Sequence, residues 1–455
     1  MRFVQLFEKY RNEYLATLAA TLSIMMTVMT NAWSSPAIVK LEAEDSPIPI
    51  TEDEGSWVVA IQAIGGIFGP IITGVAVDRI GRKWTLLSAA IPTIIGWILI
   101  GLGDSVGYLY AARFLFGVSY GTTYSVSPIY LGEITSDAIR GSSGTMITIL
   151  ARIGFLLMYS IGPYLEYRTL AWVSMIGPAL FVLSFMWMPE TPYYLIGKNK
   201  HKQAEKSLSW FRRTTKISEE MEAMKSSVEK SNQDKTSLSV LFTPAYRNNM
   251  RIVFVLVFSM QFTGILAILG YAQTIFGKIS TSLKPEEMSI VLGAVQLVAV
   301  IFPAFLVDRM GRRPLLLLSA VGTTLSLLVC SIYFAIAGDN YQGSLGWIAF
   351  IAILFYIVFY GLGLATVSFA VLTEIFPKNI RAYANATFSI ASAILIFGIV
   401  KAFQVTLDNV GAYLPFGLFA LCEAIGCVLI YLYIPETKGK SLDEVQRIVA
   451  GNRVS

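Results

Sequence analysis

Charge is scarce in this sequence of 455 residues, and histidine and cysteine are scarcer still. Asp, Glu, Lys and Arg make up 14% of the chain, where soluble domains carry about 25%. There is one histidine, His201, and there are three cysteines, Cys330, Cys422 and Cys427. Each shortage excludes something. Disorder needs low hydrophobicity and high charge, whereas apolar residues make up 55% here. One histidine and three scattered cysteines supply neither a metal-ligand cluster nor a disulfide framework, so no metal is expected. The net charge of +5 is small and lies in short connections rather than on a stripe, which argues against a nucleic-acid partner. No nucleophile–base pair and no phosphate-binding loop is present, so neither enzyme activity nor a cofactor is expected. The charged start, 1–13, runs into apolar sequence without a small-residue cleavage site, so no removable leader is expected.

What is abundant is apolar sequence in long runs, and the mean hydropathy is +0.61. A bilayer core about 30 Å thick takes about 20 apolar residues per helix. Twelve stretches meet that length: helices 1 to 6 at 14–39, 56–78, 84–103, 107–133, 142–163 and 169–188, and helices 7 to 12 at 251–277, 287–308, 315–337, 345–374, 382–407 and 411–434. They predict an all-α, multi-pass membrane protein with twelve transmembrane helices, bathed in lipid. Orientation follows from the basic residues. Arg79, Arg82 and Lys83 follow helix 2; Arg309, Arg312 and Arg313 follow helix 8; Lys378 and Arg381 follow helix 10. The 190–250 stretch carries Lys198, Lys200, Arg212 and Arg213 among others. The connection between helices 1 and 2 is instead acidic, with Glu42, Glu44, Asp45, Glu52, Asp53 and Glu54. Both termini and the 190–250 stretch are therefore expected in the cytosol. That stretch reads as two or three short amphipathic helices with His201 on a solvated surface.

Three signals recur in the same order. Asp78-Arg-Ile-Gly-Arg-Lys returns as Asp308-Arg-Met-Gly-Arg-Arg, Glu133 and Arg140 return as Glu374 and Arg381, and Pro189-Glu-Thr-Pro returns as Pro435-Glu-Thr-Lys. The offsets of about 230 to 246 residues put six helices in each repeat. The expected organisation is an N-terminal six-helix bundle at 1–188, a cytosolic linker at 189–250, a C-terminal six-helix bundle at 251–434 and a cytosolic tail at 435–455. Positive-inside anchoring explains the basic residues but not the recurring acids. Opposite charges at neighbouring helix ends can pair within a half and across halves, and breaking such pairs would open that face. The expected cytosolic gate is Asp78, Arg79, Arg82, Glu133, Arg140 and Glu190 with Asp308, Arg309, Arg312, Glu374, Arg381 and Glu436.

With Gly74 four residues before Asp78, Arg113, Pro128-Ile-Tyr-Leu-Gly-Glu133 and Arg140-Gly141 added to those motifs, the whole chain resembles the sugar porter family of the major facilitator superfamily. Ser34-Ser-Pro-Ala and Asp53-Glu-Gly-Ser-Trp57 look most like its insect trehalose transporter-like and intracellular-type hexose transporter branches. The resemblance implies the major facilitator fold, two pseudo-symmetric six-helix halves, and alternating access to one sugar site at the midplane. It also implies the substrate positions, and these are where the chain departs. The family's helix 7 pattern Gln-Gln-Leu-Ser-Gly-Ile-Asn stands here as Met260-Gln-Phe-Thr-Gly-Ile-Leu266, which keeps Gln261 and Thr263. The Gly-Pro-rich run of helix 10 is replaced by Gly363-Leu-Ala-Thr-Val-Ser-Phe369. The prolines that let that helix break are gone, and Phe369 stands at the tryptophan position. Thr148 stands for a glutamine in helix 5, Ser392 for an asparagine in helix 11, and Gln296 for an asparagine in helix 8. Tyr193 replaces the arginine that usually follows the Pro-Glu-Thr-Pro motif. Each lost amide removes hydrogen bonds of about 0.5–1.5 kcal/mol net, so two or three losses weaken sugar binding by roughly one to three orders of magnitude.

Ionisable residues inside the membrane are functional hypotheses. Proton-coupled relatives pair the arginine at Arg113 with a helix 1 aspartate, but Met29 occupies that place and 14–39 holds no acid. Downhill facilitation is therefore expected rather than symport. Arg152 lies 12 residues past Arg140, about 18 Å along a helix, where it either binds a polar or anionic solute or pairs with an acid. Glu423 in helix 12 is expected to make a structural hydrogen bond, and Lys401, near the outer end of helix 11, to snorkel. The expected cavity residues are Thr30, Thr148, Arg152, Gln261, Thr263, Gln296, Phe369 and Ser392. The expected function is facilitative transport of a hexose or a disaccharide such as trehalose, with the plasma membrane the expected location and a monomer sufficient. The alternatives are the same fold carrying a less hydroxylated or anionic solute, and a non-transporting sugar sensor.

Overall fold

A computed structural model describes residues 8–233, 238–337, 345–377, 380–440 and 442–449; the side chains of 231–233, 238, 304, 305, 307, 308, 382, 442 and 443 lie outside the description. All twelve apolar runs are helical, and among the described residues every regular element is a helix. Eleven described segments are long and apolar enough to cross a membrane. The twelfth, Val106–Ile134, has 29 residues but is diluted by Arg113, Glu133 and a run of hydroxyl residues, and its buried side includes Arg113, Ser119, Thr122, Thr123 and Ser127. It is a bundle-interior helix.

Six of the helices are interrupted, four of them for the same reason. Helix 1 is broken at Trp33 (Arg11–Ala32, Ser34–Leu41), helix 3 at Ala89, helix 6 at Met175 and helix 8 at Val300. Pro36, Pro92, Pro178 and Pro303 each follow the break by three residues. A proline donates no N–H and its ring strikes the carbonyl four residues back, so the preceding turn gives way.

Helices 7 and 10 break without proline. Helix 7 runs Arg247–Gln261, Ile265–Gly270 and Ala272–Gly277. Its first interruption contains Gly264 at φ 73°, a left-handed conformation that favours glycine. A Cβ on Gly264 would also lie 2.0 Å from the Phe419 ring. Helix 10 runs Gly346–Leu362 and Val367–Ile375, so the loss of the family's prolines has not removed the interruption. Ser319 of helix 9 takes over the missing helical bonds: its Oγ donates to the Phe359 carbonyl at 2.6 Å and accepts from Leu364 N–H at 3.0 Å.

The linker forms three short helices, Pro192–Gly197, His201–Arg212 and Ser218–Gln233. They close around Leu195, Ile196, Ala204, Leu208, Ile217, Met221 and Met224, and His201 is exposed.

By contacts the chain divides into two compact units, Met1–Asn31 with Ile61–Phe155 and Leu165–Lys235, and Ala32–Ala60 with Leu156–Tyr164 and Thr236–Ser455. This division differs from the sequence repeat. The ends of helices 1, 2 and 5 that lie away from the repeated motifs belong to the second unit. There Tyr159 Oη donates to the Leu269 carbonyl at 2.7 Å, and Gln273 N–H donates to Ser35 Oγ at 3.0 Å.

Candidate functional site

The motif-bearing ends repeat each other atom by atom. In the first unit Gly81 has φ 97° and in the second Gly311 has φ 92°, a turn that brings each following arginine back over its bundle. Arg82 Nε and Nη2 each approach Glu133 Oε1 at 3.0 Å. Arg312 Nε and Nη2 reach Glu374 Oε1 at 3.2 and 3.0 Å. The other oxygen of each acid accepts from the motif threonine, Thr191 or Thr437, at 2.5 Å. The Pro-Glu-Thr glutamates cap the next helix. Glu190 accepts from the N–H groups of Arg82 and Lys83 at 3.1 Å, and Glu436 accepts from those of Arg312 and Arg313 at 3.0 and 3.1 Å. Carboxylates bonded to N–H groups at a helix N-terminus are favoured by charge and geometry together.

The two capping acids differ electrostatically. Burial pushes the Glu190 carboxyl above its ordinary range, against the opposing N–H bonds of Thr191 and Lys83. Burial also pushes on Glu436, but the N–H groups of Arg312, Lys438, Arg313 and Thr437 outweigh it and hold that carboxyl below its ordinary range.

The remaining gate candidates are more peripheral. Asp78 is exposed and 3.5 Å from Arg82, and Arg140 pairs locally with Asp137 at 2.8 Å. The Arg79 and Arg309 carbonyls accept from Tyr194 Oη at 3.0 Å and Lys438 Nζ at 2.8 Å. Arg381 Nη2 donates to the Phe376 carbonyl at 3.3 Å. The Asp308 side chain lies outside the described residues. Each described ion pair among these motifs stays within its own half.

One element that the sequence reading missed braces the first half. Arg212 of the linker pairs with the fully buried Glu13 at 2.9 Å and with Glu220 at 2.7 Å, and donates to the Ile134 carbonyl at 2.8 Å. A hollow of about 560 Å³ lies beside it, lined by Glu13, Glu133, Asp137, Arg140, Tyr193 and Arg212 among others. None of the expected sugar residues lines that hollow.

The expected cavity residues are placed as follows. In the first unit, Thr30 is fully buried, and its hydroxyl donates to the Thr27 carbonyl at 2.6 Å and accepts from Gln62 at 3.3 Å. Arg113 donates to the Thr30 carbonyl of helix 1 at 2.6 Å. Thr148 donates to the Thr145 carbonyl at 2.8 Å. Arg152 is half-buried and sits in the electrostatic reach of Tyr120 and Tyr124.

In the second unit, Gln261 closes the first segment of helix 7 and is 5% exposed. Thr263, in the interruption, donates to the Met260 carbonyl at 2.9 Å, and its own carbonyl accepts from Tyr356 Oη at 3.0 Å. Gln296 is buried in helix 8. Phe369 is 45% exposed and packs on Phe388 of helix 11 at 5.2 Å between ring centres, one turn from Ser392. Thr30, Thr148 and Thr263 thus spend their hydroxyl protons on their own helices and keep only lone pairs for a ligand. Ser392 Oγ is buried with no hydrogen-bond partner among the described residues, as is Ser368 Oγ of helix 10.

Two expectations are overturned. Glu423 is fully buried in helix 12, but neither carboxyl oxygen has a hydrogen-bond partner among the described residues. Lys401 does not snorkel: its ammonium is 2.5 Å from Asp53 Oδ1 and 2.5 Å from Ser56 Oγ. A lone lysine in an apolar run has no visible partner in sequence, because its partners lie on another helix about 345 positions away.

Comparison with known proteins accords with this architecture. The profile described as "Sugar (and other) transporter" matches residues 14–449. The facilitated trehalose transporter Tret1 of Apis mellifera ligustica is 29% identical over 448 residues, covering 97% of this chain and 89% of that protein. The Tret1 of Anopheles gambiae is 30% identical over 448 residues, covering 96% of this chain and 56% of that longer protein. Among solved structures, the inward-open conformation of the xylose transporter XylE from E. coli superposes with a TM-score of 0.80 at 22% identity, covering 96% of this chain and 99% of that one. This likeness establishes the major facilitator fold.

Proposed function

The chain belongs to the Sugar (and other) transporter family over residues 14–449, and from that premise we propose a facilitative, alternating-access carrier of a sugar, a hexose or a disaccharide such as trehalose. The observation that carries the reading is helix 7, a helix broken at Phe262–Gly264 beside Gln261 and Thr263. A break at membrane depth frees backbone groups, is tolerated where protein or a water-lined cavity satisfies them, and marks solute sites in carriers. The six-helix halves at 1–188 and 251–434 move against each other, with the 189–250 linker and both termini in the cytosol. The doubled arginine–glutamate pairs form the cytosolic gate, with Arg82 and Glu133 or Arg312 and Glu374 at its centre. Thr30, Thr148, Arg152, Gln261, Thr263, Gln296, Phe369 and Ser392 face the solute, with Gln261, Gln296 and Ser392 as its main hydrogen-bond donors. The absence of an acid from 14–39 and the use of the Thr30 carbonyl by Arg113 favour downhill movement without a coupled proton. The trehalose transporters among the relatives support the sugar assignment, and the plasma membrane is the proposed location.

The test is saturable sugar flux by the pure chain in liposomes without an ion gradient. No flux of any sugar, together with exchange of another organic solute, overturns the assignment. A second reading, a less hydroxylated or anionic cargo, draws on Met260, Leu266, the locally spent threonine hydroxyls and Arg152. M260Q with L266N discriminates the two: a gain in sugar affinity of about tenfold or more favours the second reading.

A further inference from the structure

The end of the second unit away from the motifs holds an ionic contact with no counterpart in the repeat among the described residues. Helix 2 begins there with a capping box. Thr51 N–H donates to Glu54 Oε2 at 2.9 Å and Glu54 N–H to Thr51 Oγ1 at 3.3 Å, which fixes the first turn. Asp53 and Ser56 of that turn present Asp53 Oδ1 and Ser56 Oγ to Lys401 Nζ, each at 2.5 Å. The same ammonium stands over Trp57, 4.6 Å from the ring centre, and Trp57 packs on Phe397, one turn before Lys401, at 5.8 Å. A cation over an indole strengthens as water is removed, and the Lys401 side chain is only 22% exposed. Charge, hydroxyl and ring therefore converge on one ammonium, and they join a helix of the first repeat to a helix of the second. The neutral contacts Tyr159 to Leu269 and Gln273 to Ser35 join the repeats at the same end.

We infer that Lys401, Asp53, Ser56 and Trp57 form a clasp that holds the end opposite the motifs closed, and that this clasp must open each time the solute site turns to that side. The inference rests on the alternating-access reading. If helices 2 and 11 part at this end, the four groups lose one another together, so the clasp biases the equilibrium toward the closed end. A site competent for solute from that side only a fraction of the time shows an affinity reduced by that fraction. Weakening the clasp raises that fraction.

The experiment uses the full chain in liposomes, with Lys401→Met, Asp53→Asn and the exchanged pair Asp53→Lys/Lys401→Asp. Two quantities are read: deuterium uptake by the amides of 52–60, and the KM for trehalose or glucose supplied from the side opposite the motifs. Each single variant is expected to speed uptake in 52–60 and to lower that KM by about three- to tenfold, with KM from the other side moving the opposite way. The exchanged pair is expected to recover much of both. Unchanged uptake in the single variants overturns the clasp, and faster uptake with both KM values unmoved overturns its role in gating. If the parent chain moves no sugar, the transport reading falls, while the uptake comparison still decides whether the four residues hold that end together.

Discussion

At the motif-bearing ends the same chemistry is built twice: arginine on glutamate, threonine on the same glutamate, and a second glutamate over the next helix start. At the opposite end, Lys401 meets Asp53 and Glu42 stands near Asp408 and Glu52, in arrangements with no copy elsewhere in the described residues. The duplicated end is assembled from residues close in sequence to helix termini within one half. At the unduplicated end, Lys401 with Asp53 and Glu42 with Asp408 bring together residues of different repeats. The duplicated pairs thus stabilise each half, whereas the Lys401 contact joins the two repeats.

The largest expected effect tests whether the duplicated networks are equivalent. The Arg82 and Glu133 side chains are 16% and 18% exposed, and those of Arg312 and Glu374 are 18% and 29% exposed. Removing one member of a largely buried pair leaves the other charge without compensation, which costs about 3–5 kcal/mol at full burial. Glu133→Ala is expected to lower thermal stability by about 2–3 kcal/mol and to cut sugar flux more than tenfold. Glu374→Ala should do the same to a smaller extent, because water reaches its site more readily. Equal losses in a thermal-shift and flux comparison would mean that burial does not set the difference.

The capping acids sharpen the contrast within that end. Glu436 is held below the ordinary carboxyl range, so its contribution is present above that range and disappears as pH falls through the lowered value. Glu190 is pushed above the range, so its protonated form is favoured in the fold and its contribution fades as pH rises. At pH 7, Glu436→Gln is expected to cost about 1–2 kcal/mol, in keeping with charge-assisted bonds to backbone N–H, and Glu190→Gln less. Melting the two variants at pH 7 and at pH 4 checks this: the gap should narrow on acidification, and a widening gap would reverse the assignment.

Much of this was legible in the residues. The apolar runs gave all twelve helices within a few positions, because a helix in lipid must satisfy its backbone internally and cannot be short. The Asp-Arg-x-Gly-Arg and Pro-Glu-Thr motifs were legible because each needs a residue with one special property, a glycine at positive φ or an acid over free N–H groups. The interruption of helix 10 was not legible, since Ser319 on helix 9 supplies its hydrogen bonds and no local pattern in 361–369 announces a partner from outside. Lys401 was misread for the same reason. Thr148 and Thr263 were expected at the solute site from the family positions they occupy and Thr30 beside them, but a helical threonine also donates to the carbonyl three or four residues back, which those positions do not reveal. Side-chain type gives capacity to bond; only packing tells where that capacity is spent.

The smallest expected effect lies at the unduplicated end. Glu42 follows the last turn of helix 1, and its carboxyl is pushed up to about 7, first by burial and then by the charges of Asp408 and Glu52. Its Oε1 is buried with no hydrogen-bond partner among the described residues, and a Cβ on Gly55 would come within 2.8 Å of it. Asp408 is itself held by Gln404 Nε2 at 2.8 Å, and Lys278 is the cation that faces it. A carboxyl raised in the packed state binds its proton more tightly there than in water. The packed end is therefore fully favoured below the ordinary carboxyl range, and that advantage is lost as pH rises through about 7. Between pH 6 and pH 8 the melting temperature is expected to fall by about 1–2 °C more in the parent chain than in Glu42→Gln. Glu436→Gln, whose carboxyl is held below the ordinary range, should keep the parent's slope. If Glu42→Gln keeps it as well, this end does not sense protons, and the difference between the two ends is one of symmetry alone.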